Sequence, residues 1–215
     1  MALFSREFEC PSCGAALQQN NAASKSITCM YCGQTSHINM NQLEAAGQQH
    51  ILIDYGSALS YGSSNRLRNE AFTILGKVRM AYEDGFWDEW YIEREDGSEG
   101  WIQEDDGSFI FFEQNQTPII NVNFTDIKVG QTYNFSDDIQ SAFNSVFVTS
   151  KGKATIKGGT GELPFKIIPG EKADFIEGIS NGQVVSIEWH DGEYIGFVGS
   201  SFDIEELETE LNFEH

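Results

Sequence analysis

The stretch Phe86 to Phe112, FWDEWYIEREDGSEGWIQEDDGSFIFF, decides the fold of the body of this chain. It holds three of the four Trp and reads as three short strands. Asp96-Gly97 separates the first two and Asp106-Gly107 the last two. Asp-Gly is a strong hairpin signal because both residues tolerate positive φ. Within the first strand the residues alternate, with Trp90 and Ile92 on one face and Glu89, Tyr91 and Glu93 on the other. Period two is the mark of a half-buried strand.

Working outward, Ala71 to Ala81 (AFTILGKVRMA) is a further strand, with a bulge expected at Gly76. His50 to Asp54 is a short apolar run that reads as the first strand of the body. After Pro118 and the alternating run Ile119 to Phe124, the pattern starts again. A short helix is expected at Asp137 to Phe143, then strands at Ser145 to Thr149 and Lys153 to Lys157. GGTGELP at Gly158 to Pro164 reads as a Gly-rich crossing. It lacks the Gly-Lys-Ser/Thr ending of a phosphate loop. Asn181-Gly182 turns into Val184 to His190, and Asp191-Gly192 turns into Tyr194 to Val198. Val185, Ile187 and Trp189 share one face; Ser186, Glu188 and His190 share the other, read as the solvent face. Short strands with such turns predict a mainly β body, built of one or two small barrels or curled sheets over residues 49–201. Residues 50–115 and 125–200 are candidate half-repeats. In the tail, 202–215, Asp203 with Glu206 resembles a capping box and predicts a short C-terminal helix.

All four Cys lie before residue 48, as Cys10-Pro-Ser-Cys13-Gly and Cys29-Met-Tyr-Cys32-Gly. Two C-x-x-C pairs at this separation have the spacing of a zinc ribbon. Each pair grips a metal from one tight turn, and Gly14 and Gly33 permit the turn that aims backbone N–H groups at the thiolates. Four thiolates close a tetrahedral Zn²⁺ site with no open position, so the expected ion is structural. A rubredoxin-type iron site shares the pattern but with its pairs further apart. Paired disulfides fit poorly with a chain that shows no secretory signal pattern. Residues 1–48 therefore read as a ribbon and linker, with a short helix or linker at Asn39 to Gln49 and His37 as a surface residue.

Lys plus Arg number 13 against 33 Asp plus Glu, a formal net charge of −20. A surface this acidic repels phosphate backbones and anionic headgroups, so nucleic-acid binding is not expected. The ribbon offers only Arg6 and Lys25 as bases, which is no electrostatic footprint for nucleic acid. No run reaches the length of a membrane span, and MALFSREFECPSC has no secretory pattern. The expected location is the cytoplasm.

The blocks CPSCGA (Cys10 to Ala15), CMYCG (Cys29 to Gly33), GKVR (Gly76 to Arg79), WDEWYIEREDGSEGWI (Trp87 to Ile102), GELP (Gly161 to Pro164) and SIEW (Ser186 to Trp189) resemble a bacterial family. That family joins an N-terminal CPxCGA zinc ribbon to a β-rich domain of unknown function. The resemblance implies genes neighbouring phage-shock-type membrane-stress proteins and polyamine-related enzymes. It carries over no catalytic residue, only the four Cys.

Two functional readings arise from these residues. The first is a non-enzymatic zinc-ribbon adaptor that binds a basic protein segment of a membrane-associated complex, standing peripheral to the membrane through it. Its candidate surface is Trp87, Glu89, Trp90, Tyr91, Glu93, Glu95 and Trp101, acids interleaved with large aromatics. The second is a hydrolase, or a domain sensing a small cationic ligand such as a polyamine, in an acidic aromatic groove. Converging carboxylates with perturbed pKa values would favour the second. The acids Asp84, Asp88, Glu89, Glu93 and Glu95 otherwise read as a solvated strand face and turns.

Overall fold

The computed structural model describes residues 4–47, 51–190 and 193–210. Five short strands form the N-terminal module: β1 (Arg6–Glu9), β2 (Ala16–Gln19), β3 (Ser26–Thr28), β4 (Thr35–Asn39) and β5 (Gln42–Ala45). The body contributes β6 (Ser64–Leu67), β7 (Glu70–Tyr82), β8 (Gly85–Arg94), β9 (Glu99–Asp105), β10 (Ser108–Gln116), β11 (Thr132–Tyr133), β12 (Val146–Leu163), β13 (Lys172–Ser180), β14 (Gln183–His190), β15 (Glu193–Phe202) and β16 (Leu207–Glu210).

Eight of these close a barrel. β7 to β10 form one antiparallel meander and β12 to β15 another. β10 pairs with β15, and β12 pairs with β7, so no edge remains in the ring. Each candidate half-repeat thus supplies four consecutive barrel strands. The Asp106-Gly107 and Asn181-Gly182 turns have positive φ at both residues, as the hairpin reading requires. At Gly76 the β7–β8 register shifts, which is the expected bulge.

The seam between β7 and β12 explains the Gly-rich block. Gly158 to Pro164 is no crossing between strands. It is the continuation of one 18-residue strand, which absorbs both short strands expected in this region. Gly161 pairs with Gly76, and a Cβ on Gly76 would lie 2.0 Å from the Glu162 carbonyl oxygen. The backbones approach too closely here for any side chain.

The alternation along β8 and β14 is present, but its sense is inverted. Gln103 on β9 reaches Glu177 on β13, half-way round the ring, at 2.9 Å. Trp87 on β8 meets Phe175 on β13 with ring centroids 5.1 Å apart. These contacts cross the barrel, so the faces carrying Glu89 and Tyr91, Ser186 and Glu188 point inward. Trp90, Ile92, Val185, Ile187 and Trp189 point outward and need cover. β6, Leu59 and the chain after β15 cover Trp90, Ile92, Phe72 and Phe111. Ile127, Phe135 and Phe143, from the connection between β10 and β12, cover Val185 and Ile187.

Three local expectations change with this cover. Residues 137–143 form turns, not a helix, because Phe135 and Phe143 are both buried and Phe135 N–H donates to the Phe143 carbonyl at 2.8 Å. The capping box at Asp203 and Glu206 is present, yet it caps a single 3₁₀ turn at Ile204–Glu206. The chain then continues as β16, paired with β6, where Leu207 packs onto the outer core. Residues 211–215 of that tail lie outside the described residues. The chain after Asn39 is a β4–β5 hairpin rather than a helix, because Ile38 faces Leu43 over the ribbon core. Ile51 to Asp54 has no regular structure, and Arg79 Nη1 holds it by donating to the Ile53 carbonyl at 2.8 Å. His50 and the Asp191-Gly192 turn lie outside the described residues.

Candidate metal centre and barrel interior

The two Cys pairs fold into matching turns. Gly14 N–H donates to the Cys10 carbonyl and Gly33 N–H to the Cys29 carbonyl, both at 2.9 Å. Cys10 N–H donates to Ala15 and Cys29 N–H to Gln34, at 2.8 and 2.9 Å. Gly14 and Gly33 have φ of 74° and 70°, which is why glycine follows each second Cys. The four sulfurs lie within 4.8 Å of one another. Cys10 Sγ is 3.7 Å from Cys32 Sγ, and Cys13 Sγ is 3.7 Å from Cys29 Sγ. Thiolates about 2.3 Å from a shared tetrahedral ion would stand about 3.8 Å apart, whereas a disulfide needs about 2.05 Å. The cluster is positioned to chelate a metal ion. Burial pushes the Cys10 thiol up, but the N–H groups of Cys13 and Ser12 outweigh it and bring the group down to about 7. Phe8, Leu17 and Ile27 supply a small core beneath the turns.

His37 is neither a ligand nor a free surface group. It is half-buried, and its Nε2 donates to the Ile167 carbonyl at 3.1 Å.

The ribbon is wired into the barrel. β3 pairs with the end of β12, and Lys25 N–H donates to the Leu163 carbonyl at 2.8 Å. Between β2 and β3 the chain wraps the Glu162 carboxylate, which is fully buried. Oε1 accepts from Asn20 N–H at 2.7 Å and from Asn20 Nδ2 at 3.0 Å. Oε2 accepts from Asn21 N–H at 3.1 Å and from Ser24 Oγ at 2.9 Å. Asn21 Nδ2 then donates to Glu93 at 3.0 Å, and to Glu99 at 3.4 Å. The ribbon loop therefore stands over the end of the barrel where β8 turns into β9.

Further in, three carboxylates share the barrel interior. Burial pushes Glu89 up to about 7; the Trp87 indole, donating at 2.6 Å, pulls it down, and the Glu177 and Asp88 charges raise it. Glu188 stands well above the usual carboxylate range because of burial first, then the charges of Glu89 and Glu177. Burial also raises Glu177, against the pull of the Gln103 amide. The Asp105 charge adds to the rise of Glu177, and Glu177 in turn disfavours the anions of Glu89 and Glu188.

The seven residues of the candidate partner surface do not share one face. Trp87, Glu89, Tyr91 and Trp101 point into the barrel. Glu93 points toward the ribbon loop, Trp90 is on the covered outer side, and Glu95 is exposed in a turn. Trp90 has Lys77 Nζ 4.4 Å from its ring centre and donates to Glu104 at 2.8 Å. Asp88, on the same outer side, is not solvated. It binds Lys77 at 2.9 Å and Arg79 at 2.7 Å, all three buried. The sequence does not single out Glu162, Glu177 or Glu188. Its only signal is positional, since Glu162 lies in the GELP block and Glu188 in SIEW.

A family model described as a domain of unknown function (DUF4178) matches residues 60–203, which cover the barrel and leave the ribbon outside. Neither the comparison with curated proteins nor that with solved structures returned a match.

Proposed function

The chain belongs to the DUF4178 family of domains of unknown function, and on that premise we propose that it is a non-enzymatic binding protein: a barrel with a zinc-ribbon adaptor fastened to one end. One Zn²⁺ per chain, held by Cys10, Cys13, Cys29 and Cys32, is its structural staple. The observation that carries this reading is the joint between ribbon and barrel. Ladder hydrogen bonds from β3 to β12 and four donors on buried Glu162 make the two parts one hydrogen-bonded unit. Zinc is preferred because four soft thiolates suit it and a closed set of four leaves no position for substrate. A ribbon with so small a core depends on its metal for order.

The partner we assign is a Lys- or Arg-bearing protein segment of a membrane-associated complex, met in the cytoplasm. The exposed turn acids Glu83, Asp84, Glu95, Asp96 and Asp106 would steer its approach. The block resemblance supports the setting, and the net charge of −20 supports the sign.

The test is elemental analysis of protein purified without chelator, followed by hydrogen exchange before and after metal removal. One zinc per chain is expected, with metal removal exposing the amides of residues 26–28 and 161–163 while the rest of the barrel stays protected. Absence of zinc, or exchange at the joint that ignores the metal, would overturn the reading.

A further inference from the structure

The barrel end opposite the ribbon is open. A cleft of about 550 Å³ enters there between the β7–β8 turn and the strands β12 and β13. Tyr82, Trp87 and Phe175 form its apolar wall, and Asp105 and Glu177 its acidic wall. Lys151 and Lys153 also border it, but their ammonium groups are engaged elsewhere. Lys151 Nζ donates to the carbonyls of Phe124 and Ile127 at 2.6 and 2.8 Å, and Lys153 pairs with Asp174.

The interior behind the cleft has the same sign. By strand register, no Lys or Arg among the described residues points into the barrel. Glu89 and Glu188 are half-buried where they point into the closed ring of strands. No hydrogen-bond donor among the described residues reaches Glu188. A barrel built only to be packed would place hydrocarbon at these positions, as it does at Val78, Ile156 and Ala154.

Anionic groups facing aromatic walls, with the nearby cations occupied, make a site for positive charge carried on carbon. A hydrated metal ion gains little from indole and phenyl faces, whereas an alkylammonium uses both walls. We infer that this mouth binds a small organic ammonium ion, its charge against Glu177 and Asp105 and its methylenes against Trp87 and Phe175. This stands apart from the adaptor reading, which concerns the ribbon and a protein partner. It carries the second reading of the sequence, a small cationic ligand in an acidic aromatic groove, to a defined cleft, and the converging interior carboxylates of raised pKa favour it.

The test uses the full, zinc-loaded chain. The indole N–H resonance of Trp87, identified by its loss in Trp87→Phe, is followed by NMR as n-butylammonium is added. Butyrate and n-butanol at equal ionic strength are the controls. A saturable shift with butylammonium alone is expected. Glu177→Gln should weaken binding about tenfold, the loss of one charge-assisted contact. Glu208→Gln, on β16 and away from the cleft, should leave binding unchanged. If Glu177→Gln disturbs the other three indole resonances, Asp105→Asn serves in its place, with the same weakening expected. No saturable shift, an equal response to butyrate or butanol, or unchanged affinity in the acid variant would overturn the inference. Zinc content is read on the same samples, so failure here is distinct from failure of the metal staple.

Discussion

Replacing Glu162 by Gln changes one atom in the joint between ribbon and barrel. The side chain keeps its volume and one acceptor oxygen, but the other oxygen becomes an NH₂ group. If that group takes the Oε2 position, it faces the Asn21 N–H, now 3.1 Å away, and two donors meet. Ser24 Oγ, at 2.9 Å, can rotate and accept. The Asn21 amide cannot, and Asn21 is only 6% exposed, so no bulk water replaces the bond. An orphaned buried donor costs about 1–3 kcal/mol, and the two bonds that lose their ionic acceptor weaken further. Working the other way, burial raises Glu93 and the Glu162 charge adds to the rise, so removing that charge relieves some repulsion at the same barrel end. The expected net loss is about 2–3 kcal/mol. Urea unfolding followed by Trp fluorescence measures it, with exposed Glu7→Gln as the control. Hydrogen exchange at residues 26–28 should rise in the same variant, because β3 loses its anchor. A loss below about 0.5 kcal/mol, or unchanged exchange in β3, would refute the view that this carboxylate fastens the ribbon.

Asp88→Asn should destabilise the barrel by about 3–5 kcal/mol, because Lys77 and Arg79 would be left buried without their anion; thermal melts of the variant check this. The interior acids make stability depend on pH. The folded Glu89 stands at about 7 against 4.5 for the unconstrained group, so the folded state holds more protons between those values. Stability should therefore fall as pH rises from about 4.5 to about 7, with the full penalty present above that range. Urea midpoints at a series of pH values measure the slope, and Glu89→Gln should flatten it and raise stability above neutrality.

The metal turns were legible because their chemistry is local. A Cys pair, its following Gly and the φ that Gly permits lie within a few residues, and the 3.7 Å sulfur pairs need only two such turns brought together. The tail shows the limit of local reading. Asp203 and Glu206 form the expected capping box, yet the chain beyond it runs on as a strand, because β6 offers Leu207 to Glu210 a ladder to join. The β4–β5 hairpin and the single long β12 obey the same rule. Propensity proposed an element, and a partner elsewhere in the chain replaced it.

The sequence by itself determined a set of short-range facts: the thiol cluster, the Asp-Gly and Asn-Gly hairpins, the bulge at Gly76 and the two-residue alternation of β8 and β14. Alternation defines two faces of a strand without saying which is inside. That choice fell to the tertiary structure. β12 pairs with β7, across more than half the body, and closes the ring; β6 and the β10–β12 connection then cover Trp90 and Val185 from outside. Once that outer layer takes the apolar face, Glu89, Glu177 and Glu188 are left inside, and burial first, then nearby carboxylate charge (Asp105 on Glu177, Glu177 on Glu89, both Glu89 and Glu177 on Glu188), gives them their raised pKa values.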